Sequence, residues 1–198
     1  VIATDDERIR DAAGEFSARV VMTRADHLSG TDRVAEAASA SNSSLIVNIQ
    51  GDEPMIDPNA IDIAILGLIE SEEAPMATLK KRIERPADIT DPNVVKVVTD
   101  ARGMALYFSR LPIPFARDGS ASHFKHLGLY VYRRDFLLSY SDLPVGPLEL
   151  AERLEQLRAL ENGYKIYVGE TEYDSLGVDS PEDLQRASEL FERTMVGT

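Results

Sequence analysis

Residues 45–54 read LIVNIQGDEP, and the order of residue types in this stretch decides the fold class. Leu45 to Ile49 are apolar except for Asn48. A run that is apolar at consecutive rather than alternate positions suits a strand covered on both faces, as a central parallel strand is. Gly51 then permits a tight turn and close approach of a ligand, and two acids follow at once, Asp52 and Glu53. Carboxylates at the mouth of a buried strand cost desolvation energy unless something uses them. Asp57 and Pro58 next open a helix whose apolar residues include Ile61, Ile65, Leu68 and Ile69.

The same strand-then-helix order holds on the N-terminal side. Val1–Thr4 reads as a strand end and Asp5–Ala13 as a helix with an acidic first turn. ARVVMT (18–23) reads as a short strand, and SGTDRVAEAASA (29–40) as a capped, alanine-rich helix. This alternation predicts α/β with a largely parallel sheet. The middle of the chain differs. MATLKKRI (76–83), NVVKVVTD (93–100), MALYFSR (104–110) and HLGLYVYRR (126–134) are strand-like, with turn signals at 91–93 and 101–103. They predict a mixed or antiparallel extension. LELAERLEQLRALENG (148–163) has leucines at 148, 154, 157 and 160 and predicts one amphipathic helix, ended by Asn162-Gly163. KIYVGE (165–170) is a strand, and GVDSPEDL (177–184) a strand end leading to a helix capped by Ser180 with Pro181 at its first position. With no repeat, low-complexity tract or linker, residues 1–198 read as one domain.

Composition narrows the function. A formal net charge of −13 argues against the nucleic-acid backbone or an anionic membrane as partner. A small anionic substrate held by a local basic cluster remains compatible. The absence of cysteine removes disulfides, thiolate metal sites and cysteine nucleophiles together, and suits a reducing cytoplasm. No apolar run approaches the ~20 residues that span a bilayer, and no signal peptide is visible. Three histidines without metal-ligand spacing make zinc a poor fit. G-x-S-x-G, the Walker lysine loop and G-x-G-x-x-G are all missing.

Several residues could carry chemistry. Asp52 follows the carboxyl end of a strand, where ligands of open α/β sheets bind; it is either a hard oxygen ligand for magnesium or a cap of the turn through Pro54. Asp179 also follows a short apolar run, and otherwise simply adds acidity to a helix start. If both strands share a sheet, their carboxylates converge; at ~4 Å two such charges repel by roughly 4 kcal/mol at an effective dielectric near 20, and a divalent cation would reverse the sign. Ser29, Gly30 and Thr31 start a helix whose free amides favour an anion or a base edge, and Arg33 adds a cation able to grip phosphate or carboxylate; the plainer alternative is a helix cap with a solvated arginine. Arg110, Lys125, His126, Tyr130, Tyr132, Arg133 and Arg134 form a basic, aromatic strand pair that suits recognition of a polar anion, or else a solvated or dimer-facing edge. Glu155 and Gln156 read as mid-helix surface.

Taken in order, MTRADHLSGTDRVAE, VNIQGDEPMI, DPNVVKVV, ALYFSRLPIP, KHLGLYVYRR, LEQLRALENGYKI and GVDSPEDL closely resemble the bacterial 3-deoxy-manno-octulosonate (Kdo) cytidylyltransferases, and the likeness spans nearly the whole chain. The resemblance implies a Rossmann-like nucleotidyltransferase fold of three layers, a mostly parallel central sheet with an antiparallel extension, and a homodimer. It implies transfer of CMP from CTP to Kdo with release of pyrophosphate, dependent on Mg²⁺, in the cytoplasm, for lipopolysaccharide synthesis. It places Asp52 and Asp179 on magnesium, Gln50, His126, Tyr130, Glu155 and Gln156 around the sugar acid, Arg33 and Arg110 on substrate anions, and Ser29, Gly30 and Thr31 near the cytidine. No convincing side-chain general base is evident, so deprotonation of the sugar hydroxyl is expected to be metal-assisted. The family opens with a strand and a loop rich in Arg, Gly, Pro and Lys that cradles the triphosphate. No such segment precedes VIATDD, so the domain is expected to be incomplete at its N-terminus and the 198 residues alone to turn over CTP poorly. A cytidylyltransferase for another acidic sugar such as sialic acid, and a non-catalytic module of the same fold, are the alternatives.

Overall fold

The computed structural model describes residues 1–27, 29–119, 121–174, 177–178 and 180–196. Its longest strand, β7 (Phe124–Arg133), organises the rest. Along one edge of β7 runs β4 (Met76–Arg82), antiparallel, with Met76 opposite Tyr132 and Arg82 opposite Phe124. The opposite edge is shared. There β3 (Leu45–Asn48) pairs antiparallel with residues 130–133, whereas β5 (Lys96–Thr99) meets β7 at Lys125 and Val95 accepts from the His126 amide. Between residues 126 and 130 the two strands part, and the sheet opens into a fork. β6 (Ala105–Ser109) extends the sheet beyond β5, and β8 (Ile166–Glu170) lies parallel beside β4. A separate parallel pair is formed by β1 (Ile2–Thr4) and β2 (Val20–Met22).

The sheet is mixed: β3, β4 and β5 all run antiparallel to β7 and so point the same way, with β8 parallel to β4. β3, read as a parallel strand, is antiparallel to β7. An apolar run reports that both faces are covered, which any central strand requires; it carries no information about direction.

Residues alternate across β7 as the strand period dictates. Leu127, Leu129 and Val131 pack with Ala77 and Leu79 of β4 against Ala60, Ala64 and Leu68 of α3 (Pro58–Glu70). Gly67 lets that helix settle on β8, since a Cβ there would lie 2.0 Å from the Tyr167 ring. Tyr132 faces the other way and joins Met76 and Phe108 in a second cluster. That cluster is closed by Phe136, Leu137 and Tyr140 of α5 (Arg134–Tyr140), Ala38 of α2 (Gly30–Ser39) and Leu157 of α7 (Leu157–Glu161). Helices on both faces of the sheet give the three expected layers. The remaining helices are α1 (Glu7–Glu15), α4 (Pro86–Thr90), α6 (Pro147–Glu152) and α8 (Pro181–Val196).

Helix starts follow the local chemistry. Ser29 accepts from the Asp32 amide at 3.2 Å, and Asp57 from the Asn59 amide at 2.9 Å. Ser180 and Asp183 cap each other: the Asp183 amide donates to Ser180 Oγ and the Ser180 amide to the Asp183 carboxylate. The single helix expected over 148–163 is instead two, α6 and α7, separated by Arg153 in the left-handed region (φ 52°). In one continuous helix, residues 149 and 158 would stand ~13.5 Å apart along the axis. Here Arg158 donates twice to the Glu149 carboxylate, at 2.6 and 2.8 Å. Glu161 folds back to accept from the Leu148 and Glu149 amides, satisfying the first turn of α6.

Candidate functional site

The fork gathers side chains from four elements. The carboxyl end of β3 supplies Asn48 and, just beyond, Gln50. Cross-strand pairing sets Asn48 beside Tyr130 of β7, whose ring lies 5.5 Å from that of His126. The first turn of α2 reaches the same place: a Cβ at Gly30 would come within 3.7 Å of Gln50 Oε1. The α6–α7 break turns Glu155 inward, so that the Ser29 and Thr31 hydroxyls bear on its carboxylate. Tyr140 holds this break by donating its hydroxyl to the Glu155 carbonyl at 2.7 Å. Glu155 and Gln156, read from residues alone as helix surface, are therefore buried or half-buried at a helix junction, with Gln156 only 5% exposed.

His126 is held in one protonation state. Its ring sits edge-on to Phe108 at 5.1 Å, and burial pushes its pKa down to about 3, so the imidazole is neutral. Thr78 Oγ1 lies 2.8 Å from His126 Nε2, and also 3.0 and 2.8 Å from the Leu127 and Leu129 carbonyls. A hydroxyl has one proton, and only the hydroxyl can donate to those carbonyls. With the hydroxyl proton given to a carbonyl, the neutral imidazole donates from Nε2 and presents Nδ1 as an acceptor. Thr78 can reach both carbonyls because β7 and β4 shift register between Ala77 and Leu79.

Burial raises the Glu155 pKa, and hydrogen bonding from Ser29 and Thr31 works against that rise. One of its oxygens, Oε1, is buried without a hydrogen-bond partner, as is Asn48 Nδ2. Burial also keeps the Tyr130 phenol protonated.

Two arginines flank the fork in different ways. Arg33, one turn into α2, pairs with Asp5 at 2.9 Å and donates to Thr23 Oγ1 at 2.6 Å, so its charge is already shared. Arg110, after β6, donates to the carbonyls of Glu152 and Pro92 at 2.8 and 2.9 Å. Among the described residues no carboxylate lies within ion-pair distance of its guanidinium. Nearby Lys96, fully buried, holds the Asp91 and Val94 carbonyls at 2.8 and 2.5 Å. Burial lowers its pKa, and Asp91 and Glu152 work against that. Both cations thus brace the turn at 91–94.

Other basic residues of the expected anion-binding strand pair serve the scaffold. Arg133 donates to carbonyls of Leu68, Ser71 and Ala74 at the end of α3, and Arg134 to those of Ala38 and Ser39 at the end of α2. Lys125 pairs with Asp174. These carbonyls are remote in sequence, so no local pattern announces the role.

Asp52 is exposed, and no ion pair engages its carboxylate among the described residues. Its carbonyl accepts from the Val178 amide at 2.9 Å, which ties residue 178 to the carboxyl end of β3. Asp179 lies outside the described residues. Among the described residues no cluster of three or more His, Asp or Glu could enclose a metal by itself. Asn48 and Thr78 were not singled out from sequence. Asn48 is the lone polar residue inside an apolar strand, which is a usable signal; Thr78 has none.

A mixed sheet between helices, with its polar site where two strands part, defines an α/β molecule of the nucleotidyltransferase kind, and comparison narrows this. Residues 1–166 match the profile of the family described as Cytidylyltransferase. The 3-deoxy-manno-octulosonate cytidylyltransferase of Solibacter usitatus is 70% identical over 99% of this chain and 79% of its own length. That of Geobacter sulfurreducens is 54% identical, over 96% and 80%. The chain belongs to the 3-deoxy-manno-octulosonate cytidylyltransferase family. A solved CMP:2-keto-3-deoxy-manno-octonic acid synthetase complexed with CTP superposes with a TM-score of 0.91 at 41% identity, over 96% of this chain and 79% of that one. The inositol-1-phosphate CTP transferase of T. maritima shares the fold alone, at TM-score 0.63 and 15% identity, over 96% and 73%.

Proposed function

We propose that this chain transfers a cytidylyl group from CTP to Kdo, releasing pyrophosphate, as a step toward lipopolysaccharide. The observation that carries the reading is the convergence at one fork of Gln50, His126, Tyr130 and Glu155, the residues that family resemblance assigns to the sugar acid. In the reaction the anomeric hydroxyl of Kdo forms an O–P bond to the α-phosphorus of CTP while the bond to the departing pyrophosphate breaks. Such a transfer needs positioning and charge neutralisation more than covalent help. His126 offers Nδ1 as a hydrogen-bond acceptor for a sugar hydroxyl; with a pKa of about 3 it orients that group and does not carry away its proton. Glu155 offers an unused acceptor oxygen. Arg110, with no carboxylate in ion-pair distance among the described residues, supplies a charge for a substrate anion.

Magnesium is part of the proposal, with Asp52 and Asp179 as its protein ligands. An exposed carboxylate without an ion-pair partner suits a hard cation that keeps most of its waters, and the bond from Val178 to Asp52 supports placing the two acids together. Such an ion would neutralise phosphate charge and lower the pKa of the attacking hydroxyl. Leu106, Leu111 and Phe115 are 62%, 72% and 87% exposed on and after β6, at the sheet edge; we assign this apolar edge to a homodimer. We read the described layers as one domain, in the cytoplasm where CTP is made. Among the described residues no helix is long and apolar enough to cross a membrane.

The test supplies the protein, as its gene encodes it, with CTP, Mg²⁺ and either Kdo or sialic acid, and measures pyrophosphate. Release with Kdo and none with sialic acid is expected. The reverse pattern overturns the choice of sugar, and CTP binding without release in either case identifies a non-catalytic module.

A further inference from the structure

We propose that Asn48 determines specificity for the acceptor sugar acid, donating its side-chain amide to an oxygen of that substrate. The proposal rests on the function just proposed and adds a residue to it. Asn48 is 5% exposed, and its Nδ2 is buried with no hydrogen-bond partner. A buried donor left unsatisfied costs stability, so its retention calls for an explanation, and a ligand that completes the bond is one.

Position says which ligand. Asn48 is the last residue of β3. Its cross-strand neighbour is Tyr130, and Gln50 lies two residues on. On β7 the alternation that turns Leu127, Leu129 and Val131 to α3 puts His126, Gly128 and Tyr130 on the face that Asn48 shares. A Cβ at Gly128 would meet nothing within 4 Å, so space remains beside the β7 backbone there. The second buried atom without a partner, Glu155 Oε1, belongs to the same site and is an acceptor. One unused donor and one unused acceptor suit a ligand bearing both carboxylate or ether oxygens and hydroxyl groups, as a polyhydroxy acid does. A neutral amide suits such an anion better than an aspartate of the same shape, which would repel it.

Two variants test the assignment. Asn48→Val keeps strand propensity and removes the donor; Asn48→Ser keeps a shorter donor. Calorimetric titration is expected to show Kdo bound about tenfold more weakly by Asn48→Val, with Asn48→Ser intermediate and the Kd for CTP within about twofold of the parent in both. The ligand-free Tm of Asn48→Val should equal or exceed the parent's, because an unpaired donor has gone. An unchanged Kd for Kdo in both variants, or equal losses for Kdo and CTP, overturns the proposal. So does a lowered Tm with sugar binding intact, which marks Asn48 as a packing residue. Should the parent protein bind sialic acid and not Kdo, the function reading falls, and the same titrations with sialic acid still decide the role of Asn48 on the same criteria.

Discussion

On one face of β7, Leu127, Leu129 and Val131 meet the helix α3 across an interface of apolar side chains, each no more than 4% exposed. On the other, His126 and Tyr130 face Asn48, Gln50 and Glu155, where two polar atoms are buried without partners. The same ten-residue strand serves both faces. The first gains free energy from every side chain it buries. The second gives some back, holding a neutral histidine and unpaired polar atoms in position before any ligand arrives. The separation means that stability and chemistry should respond to different substitutions on one strand.

The largest effect should come from the chemical side. Asp52→Asn removes charge and little volume, and should lower turnover by at least about 10²-fold while leaving the melting temperature within a degree or two. Activity close to that of the parent would make Asp52 a turn residue. Next, Leu129→Ala should cost about 2–5 kcal/mol of stability by denaturant titration, with the Kd for the sugar acid little altered under conditions where the variant is folded. If binding is lost in proportion to stability, the two faces are coupled through the β7 backbone and the comparison breaks. A third effect is read against pH and concerns His126. Its folded pKa of about 3 lies below the ordinary value of 6.5, so between those values the unfolded chain takes up the proton that the folded chain refuses. Stability attributable to this residue is full above pH 6.5 and is lost as pH falls toward 3, with a limiting slope of ~1.4 kcal/mol per unit. Comparing pH-dependent unfolding of the parent with His126→Gln should show that component vanish. An unchanged difference across this range would mean that the imidazole titrates normally.

Much of this was legible in the sequence because the governing forces are local. Apolar runs marked β3, β4, β7 and β8, and Ser29, Asp57 and Ser180 announced helix starts because a cap is satisfied within three residues. The break near Arg153 was not legible. Leucines at 148, 154, 157 and 160 serve one helix or two equally well, and the Glu149–Arg158 and Glu161–Leu148 contacts exist only after the chain has folded back. The site followed the same division. Resemblance placed Glu155 and Gln156 near the substrate, whereas residue patterns alone left them on a helix surface. For Arg133 and Arg134 the residue pattern offered anion recognition or an exposed edge, and it could not show a bracing role because the carbonyls they satisfy lie 59 and 96 residues away.

The break between α6 and α7 has a further consequence. Arg153 holds the left-handed region there at φ 52°, a conformation that costs a residue with a Cβ roughly 1–2 kcal/mol and glycine very little. Replacing Arg153 by glycine is therefore a single-residue route to a more heat-resistant protein whose helix junction keeps its shape.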